Sequence, residues 1–223
     1  MRIMNYGETY RKSGGHHWKN TPWNIARVEL IRSLLGSRRT GLMLDVGCGD
    51  AWVSYNVADL VFPVGIDPSV EGISSAKKHG YKYPLIVADA INIPFRGDVF
   101  DKVLCSEVIE HVIDDEQLLK EINEVLKMQG IVIITTPKKH SIDELVFGKC
   151  EFHIKEYDER EITQLILKYY HILNIEYLDI TKTILYLMYH YFPINSRIYN
   201  VINNIIKNKP FFIRNFLIMA RKD

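Results

Sequence analysis

The amino-acid sequence predicts an α/β protein with a doubly wound, mostly parallel β-sheet. Short apolar runs alternate along the chain with segments in which apolar residues recur at helical spacing. The apolar runs are short enough for strands that are buried on both faces, as in a parallel sheet covered by helices. Such a sheet binds its ligand at the carboxyl ends of the strands, where the strand order reverses. The candidate functional loops are therefore those after Val46, Ile66, Ala88, Ser106 and Thr135.

Hydrophobic spacing and helix-end residues define the predicted elements. The predicted helices are residues 22–35, 70–79, 114–127 and 159–170, and the predicted strands are residues 42–46, 61–66, 85–88, 102–106, 131–135, 172–180 and 216–220. Thr21 is the expected N-cap of the first helix, with Pro22 at its first position. Asp114 and Gln117 resemble a capping box, and Gly130 is expected to end the helix that they begin.

The composition indicates one core with elaborations and no disulfide framework. The chain has 223 residues, of which 47% are hydrophobic, enough for one well-filled core. Its three cysteines form no CxxC pair, which favours a reducing, cytoplasmic location. Residues 1–20 lack the apolar core of a signal peptide, and no segment reaches the length of a transmembrane helix. The formal net charge is +1, so no nucleic-acid partner is expected.

Glycine and acidic residues follow the first three predicted strands. Gly47 and Gly49 come directly after the first strand, where they allow backbone torsions and a close ligand approach that a Cβ would obstruct. The helix after them would present free N–H groups to a polar ligand. Asp67 ends the second strand eighteen positions beyond Gly49, a spacing that suits an acid that binds a ribose diol. Asp89 and Ala90 follow the third strand, beside the expected position of an adenine ring.

The run Asp45-Val-Gly-Cys-Gly49 resembles the first motif of class I methyltransferases that depend on S-adenosylmethionine (SAM). Four further segments resemble this family in the same order, namely Asp67, Asp89-Ala90, residues 93–103 and residues 106–112. The last segment, Ser-Glu-Val-Ile-Glu-His-Val, is similar to the small-molecule branch that includes quinone-biosynthesis methyltransferases. The resemblance covers residues 42–137 and continues weakly through His153 and Tyr157. One departure is Ala51, which stands where the family often has a third glycine.

This resemblance implies a Rossmann-like, seven-stranded sheet with an antiparallel last strand, a helical insertion before that strand, and SAM as the cofactor. In the family, the glycine-rich loop contacts the methionine moiety, an acid binds the ribose, and a later acid binds the adenine amino group. In related enzymes an arginine often reaches the SAM carboxylate, and Arg27 is the matching residue here. The alternative is that Arg27 is a solvated charge on the face of a helix. The cofactor-binding residues that the resemblance implies are Asp45, Gly47, Cys48, Gly49, Asp67, Pro68, Asp89, Ala90, Ser106, Glu107 and Arg27.

The loop after the fourth strand contains the candidate catalytic residues, Glu110 and His111. If the loop begins as a helix, Glu107, Glu110 and His111 share one face. Three roles stay open. By the resemblance, two carboxylates and the imidazole could bind a divalent ion that orients a catechol-like acceptor, or His111 alone could act as a general base. The third interpretation, which the pattern favours, is that Glu110 and His111 only shape the loop through hydrogen bonds, and we assign no metal site.

The segment 181–212 is rich in tyrosine and aliphatic residues, and residues 181–223 carry seven basic residues and one acid. An ordinary helical cap packed on the sheet explains this pattern. The sharper hypothesis is a cap that binds a small or lipid-linked methyl acceptor, with a peripheral contact to an anionic membrane surface. We expect a single domain with an N-terminal lid and helix (1–41), a cofactor-binding core (42–180), this cap (181–212) and a last strand (213–223).

The predicted function is methyl transfer from SAM, and two other classes of protein remain as alternatives. A nicotinamide-dependent oxidoreductase requires GxGxxG, whereas the third small residue here, Ala51, comes two positions after Gly49. A non-catalytic SAM-binding or scaffold protein would carry the same binding motifs, because binding alone does not prove turnover.

Overall fold

The computed structural model of the protein describes residues 22–139, 150–179 and 213–223. The helices are α1 (Pro22–Leu35), α2 (Trp52–Val57), α3 (Val70–Lys78), α4 (Asp115–Val125) and α5 (Glu159–Ile166), with a 3-10 turn at Ile109–His111. The strands are β1 (Leu42–Val46), β2 (Phe62–Asp67), β3 (Leu85–Val87), β4 (Phe100–Ser106), β5 (Leu126–Pro137), β6 (His171–Asp179) and β7 (Ile213–Arg221).

The strands form one seven-stranded sheet in the order β3-β2-β1-β4-β5-β7-β6. The pairs among β1 to β5 are parallel, and β7 is antiparallel to both of its neighbours, β5 and β6. This confirms the predicted α/β class and the antiparallel last strand. The chain moves outward from β1 through β2 to β3 and then returns to β4 on the other side of β1. The strand order therefore reverses between β1 and β4, and doubly wound sheets bind their ligands outside the carboxyl ends of the strands at such a point.

Helices cover both faces of the sheet. On one face, α1 and α2 pack against apolar side chains such as Met43 and Leu104. On the other face, α4 and α5 bury residues such as Leu118 and Ile162 against alternating residues of β4, β5 and β7. Burial on both faces explains why the parallel strands are apolar runs in the sequence. The helical cap at 181–212 and the N-cap Thr21 are predictions that lie outside the described residues.

Three predicted helix features are wrong in detail. The helix predicted to reach residue 127 ends at Val125, because Leu126 is already extended and pairs with Phe100, and Gly130 therefore lies within β5. The helix predicted to reach residue 170 ends at Ile166. Asp114 accepts from the Gln117 backbone N–H as expected, but the Gln117 amide donates to Glu121, so the capping box is half formed.

No helix in the described parts of the chain combines the length and the apolar composition that a bilayer crossing requires.

Candidate functional site: the crevice at the carboxyl ends of β1, β2 and β4

The glycine-rich loop after β1 has the shape that its sequence predicts. Gly47 and Gly49 have φ angles of +68° and +56°, a region that L side chains rarely adopt. A Cβ on Gly47 would lie 2.4 Å from Cγ2 of Val108, so the loop passes directly beside the segment after β4. Ala51 precedes α2 with φ +59° and is fully buried. The chain therefore has a small, buried residue in a left-handed conformation at this turn.

A third glycine, which sequence reasoning missed, brings α3 against this loop. A Cβ on Gly72 would lie 2.9 Å from the carbonyl oxygen of Gly49. The N-cap of α3, Ser69, accepts a 3.0 Å hydrogen bond from the Gly72 N–H. The close approach of two backbones explains why the first turn of α3 contains a glycine, a residue that otherwise destabilises a helix.

Asp67 joins the end of β2 to the glycine-rich loop. Its Oδ2 accepts from the Gly49 N–H at 2.7 Å, and its Oδ1 accepts from the Ser69 N–H at 2.8 Å. Burial raises the pKa of Asp67, and these two N–H bonds oppose that rise. A carboxylate has about four acceptor positions, so about two remain for a diol. The predicted ribose-binding acid is therefore placed beside the loop predicted to bind the other end of the same ligand.

Asp45 lies beneath the loop and connects β1 to α2. It is almost completely buried, and its Oδ2 accepts a 2.5 Å hydrogen bond from the Ser54 hydroxyl. Burial raises the pKa of Asp45 to about 7. Through Ser54, Asp45 is joined to the helix that follows the loop.

The remaining predicted residues near β2 and β3 occupy the same edge of the sheet. Cys48 lies against β2, since a Cβ on Gly65 would be 2.7 Å from its Sγ, and burial raises the pKa of its thiol. Asp89 is exposed and accepts from the Ile91 N–H at 3.2 Å, whereas its neighbour Ala90 is buried. Pro68, directly after Asp67, is half-buried.

Glu107 is the centre of a polar network that ties three elements together. Its carboxylate accepts from the Asn215 amide of β7 at 2.8 Å and from the Thr135 hydroxyl of β5 at 2.7 Å. The guanidinium of Arg27, on α1, lies 3.5 Å from the same carboxylate. Ser106 shares a 3.0 Å hydrogen bond with Thr135. Glu107 itself has φ +57°, an unfavourable conformation of the kind that is often found at functional sites.

The expectation that Glu107, Glu110 and His111 share one face is wrong. The positive φ of Glu107 and the single 3-10 turn that starts at Ile109 prevent a continuous helix. Glu107 consequently faces Arg27 and β7 and does not belong to the group formed by Glu110 and His111.

Glu110, His111 and His153 form a separate cluster beside this network. Each offers one metal-ligating atom, and the three atoms lie within 4.8 Å of one another. Glu110 is fully buried; its Oε2 accepts from the Thr136 hydroxyl at 3.0 Å, and its Oε1 has no hydrogen-bond partner. Burial, followed by the charge of Glu107, raises the pKa of Glu110 well above its usual value, and burial lowers the pKa of His111.

This cluster fits a divalent ion. A buried carboxylate oxygen without a partner is costly, and a cation would remove that cost. The Oε1 atom of Glu110 is 3.8 Å from Nε2 of His111, and the His111 and His153 ring centroids are 5.1 Å apart. The same cluster can also act without metal, because a neutral His111 has a nitrogen lone pair for general-base work.

The structure therefore places most of the predicted residues at the carboxyl-end edge of the sheet and adds others. Glu156, which lies 2.6 Å from Nδ1 of His153, is also part of this site. The residues that sequence reasoning missed are Gly72, Thr135, Thr136, His153, Glu156 and Asn215. For His153, the weak continuation of the family resemblance was a signal. For Asn215, which is 108 positions from Glu107, the sequence offers none.

Comparison with known proteins adds a family match and several relatives. Residues 44–134 match a family model described as a methyltransferase domain. An uncharacterized protein of Methanocaldococcus jannaschii is 30% identical over 146 residues, which cover 66% of this chain and 56% of that protein. A ubiquinone biosynthesis O-methyltransferase of Pelagibacter ubique is 34% identical over 120 residues, which cover 52% of this chain and 50% of that enzyme. The chain thus spans about half the length of these curated relatives.

The fold is also that of a solved protein from Pyrococcus horikoshii, with a TM-score of 0.68 and 19% sequence identity. The match covers 97% of this chain and 99% of the other. At this identity the likeness concerns the fold alone.

Proposed function

We propose that the protein is a class I, SAM-dependent methyltransferase that transfers a methyl group from SAM to a hydroxyl of a small or lipid-linked acceptor. The match of residues 44–134 to a methyltransferase domain supports this proposal. The observation that carries this proposal is Asp67, whose carboxylate is hydrogen-bonded to the glycine-rich loop and retains acceptor positions for a ribose diol. The choice of an oxygen acceptor is supported by relatives that are named as O-methyltransferases.

We assign the cofactor contacts by position along the crevice. The backbone of residues 47–49 binds the methionine half of SAM, Asp67 and Pro68 bind the ribose, and Asp89 and Ala90 bind the adenine. Ser106 and Glu107 line the pocket between β4 and β5. The guanidinium of Arg27, which lies 3.5 Å from the carboxylate of Glu107, also binds the carboxylate of SAM, so that it has two anionic partners.

Methyl transfer from a sulfonium is an in-line displacement that depends on holding the donor and the acceptor in near-attack geometry. In this chain, Glu110 and His111 lie in the loop after β4, at the edge of the crevice where the acceptor would approach. His111 accepts the acceptor's proton directly, or Glu110, His111 and His153 hold a divalent ion. Such an ion, when bound, polarises the acceptor hydroxyl as a Lewis acid.

The acceptor side is completed by segments outside the described residues. We propose a lid and helix over residues 1–41, the cofactor-binding core over 42–180, an acceptor cap over 181–212 and the last strand over 213–223. The apolar composition of the cap suits a lipid-linked acceptor, and its basic residues suit a peripheral contact with an anionic membrane. The location we propose is the cytoplasm, in keeping with three free cysteines.

Two measurements separate an enzyme from a binding protein. Isothermal titration with SAM, and with NAD as the control, tests the cofactor. Mass-spectrometric detection of S-adenosylhomocysteine, after incubation with SAM and a catechol or with a cell extract, tests turnover. We expect SAM binding, no NAD binding and S-adenosylhomocysteine formation that requires an acceptor. SAM binding without S-adenosylhomocysteine from any acceptor source would favour the non-catalytic alternative.

A further inference from the structure

We propose that Glu156 is a positioning residue that fixes His153 as the third ligand of a divalent transition-metal site formed with Glu110 and His111. The inference deepens the proposed function and rests on it for the use of the ion, but not for its binding. Glu156 was not a candidate from the sequence. It follows His153 by three residues in the segment 150–157, which packs over the turn after β4.

The hydrogen bonds of the two imidazoles determine which nitrogen is available for an ion. Nδ1 of His153 is 2.6 Å from Oε1 of Glu156, and Nδ1 of His111 is 2.9 Å from the carbonyl oxygen of Phe152. A carboxylate and a carbonyl only accept hydrogen bonds, so Nδ1 is the protonated nitrogen in each neutral ring. Nε2 then has the lone pair in both. A carboxylate on the far nitrogen of a ligating histidine is a common arrangement at metal sites, where it orients the ring and raises its basicity.

The carboxylate ligand, Glu110, lies beside the two rings. Glu110 is fully buried, and its partnerless Oε1 is directed toward Nε2 of His111 at 3.8 Å. Two imidazoles and one carboxylate form a nitrogen-rich set. Such a set favours Mn²⁺, Fe²⁺, Co²⁺ or Zn²⁺ over Mg²⁺ and Ca²⁺, which prefer sites made of oxygen atoms.

The segment that contains His153 is held in place without Glu156. The N–H groups of Ile154 and Lys155 both donate to the carbonyl oxygen of Glu110, at 2.8 and 3.2 Å. The Tyr157 hydroxyl and the Lys155 ammonium both bind Asp115, at 2.9 and 2.6 Å. Substitution of Glu156 should therefore leave the segment where it is and change only the orientation and the basicity of the His153 ring.

The test is Co²⁺ binding by the full-length protein after treatment with a chelator, followed by visible absorption and by competition with a chromophoric chelator. We expect one equivalent of Co²⁺ with ligand-field bands, and much weaker binding of Mg²⁺ in competition. Glu156→Met should weaken Co²⁺ binding by about 10–100-fold and alter the bands. Glu156→Gln should lie between it and the wild type, because the amide oxygen still accepts from Nδ1. His153→Ala should weaken binding at least as much as Glu156→Met.

A matched control is Glu116→Gln on α4, because Glu116 is a half-exposed carboxylate paired with Lys168. This variant should leave Co²⁺ binding unchanged. An equal loss in this variant would attribute the effect to general charge and overturn the proposal. Absence of Co²⁺ binding in the wild type, or Glu156→Met binding as the wild type does, would also overturn it. SAM affinity and S-adenosylhomocysteine formation are measured on the same samples, so failure of the metal site is separable from failure of the methyltransferase function.

Discussion

Replacing Gly47 by alanine tests whether the glycine-rich loop is constrained by its own backbone or by its neighbour. An L residue at φ +68° costs about 1–2 kcal/mol. The new Cβ would also lie 2.4 Å from Cγ2 of Val108, a buried side chain, and overpacking of this kind costs about 1–3 kcal/mol. Together the two effects predict a loss of roughly 2–5 kcal/mol in the free energy of unfolding.

The two contributions are separable by a double-mutant cycle, measured by urea unfolding at 25 °C without SAM. In a Val108→Ala background the clashing methyl groups are gone, so Gly47→Ala should cost only the conformational term of about 1–2 kcal/mol. The coupling energy between the two sites should therefore be about 1–3 kcal/mol. A matched control is Gly36→Ala, because Gly36 has φ +86° and no atom within 4 Å of the position of a Cβ. Zero coupling, or a Gly47 cost equal to the Gly36 cost, would refute the reasoning.

Three further predictions concern the polar residues of the site. Asp67→Ala should weaken SAM binding by about 1.5–3 kcal/mol in isothermal titration, because hydrogen bonds to a charged group are lost, and an unchanged affinity in a folded variant would remove Asp67 from the ribose role. Asp45 has a pKa of about 7 when folded, above the ordinary value of 3.8, so the native state binds the extra proton. The free energy of unfolding of the SAM-free protein should thus decrease as the pH rises from about 4 to about 7, by up to about 4 kcal/mol. Asp45→Asn should flatten this pH dependence in thermal melts. His111→Ala should leave the SAM affinity within a few fold of the wild-type value and lower turnover. If a chelator abolishes the activity of the wild type, His111 acts as a ligand of a divalent ion; if the activity survives the chelator, His111 acts as a general base.

The part of the site that was predictable from sequence depends on local spacing combined with a topological rule. Gly47, Gly49 and Asp67 each follow a strand, and parallel strands bring their carboxyl ends to one edge of the sheet. The fold class followed in the same way, because alternation of apolar runs and helical segments requires parallel crossovers. Neither inference needs the conformation of any side chain.

The other part depends on long-range contacts and on single backbone torsions. Glu107 was expected to join Glu110 and His111, but its positive φ turns its carboxylate toward Asn215. His153 reaches His111 because its segment is held over the turn after β4, where the N–H groups of the next two residues bind the carbonyl oxygen of Glu110. Likewise α4 ends at Val125 and β5 begins at Leu126, because Leu126 pairs with β4 although the helical spacing of apolar residues continues in the sequence. These outcomes are decided by tertiary pairing, for which the local sequence has no periodic signal.

The position of β7 between β5 and β6 has a consequence for the order of events during synthesis. The ribosome makes β6 before β7, and residues 180–212 separate them, so β6 emerges before the strand that it pairs with in the described sheet. Until β7 arrives, the outer edge of β5 is also open, and nascent chains with unpaired apolar edges are prone to wrong associations. Asn215 arrives on the same strand, so Glu107 gains its amide partner only when the sheet closes. Translation pauses or chaperones that act after β6 has been made should therefore affect the yield of active protein more than those that act earlier.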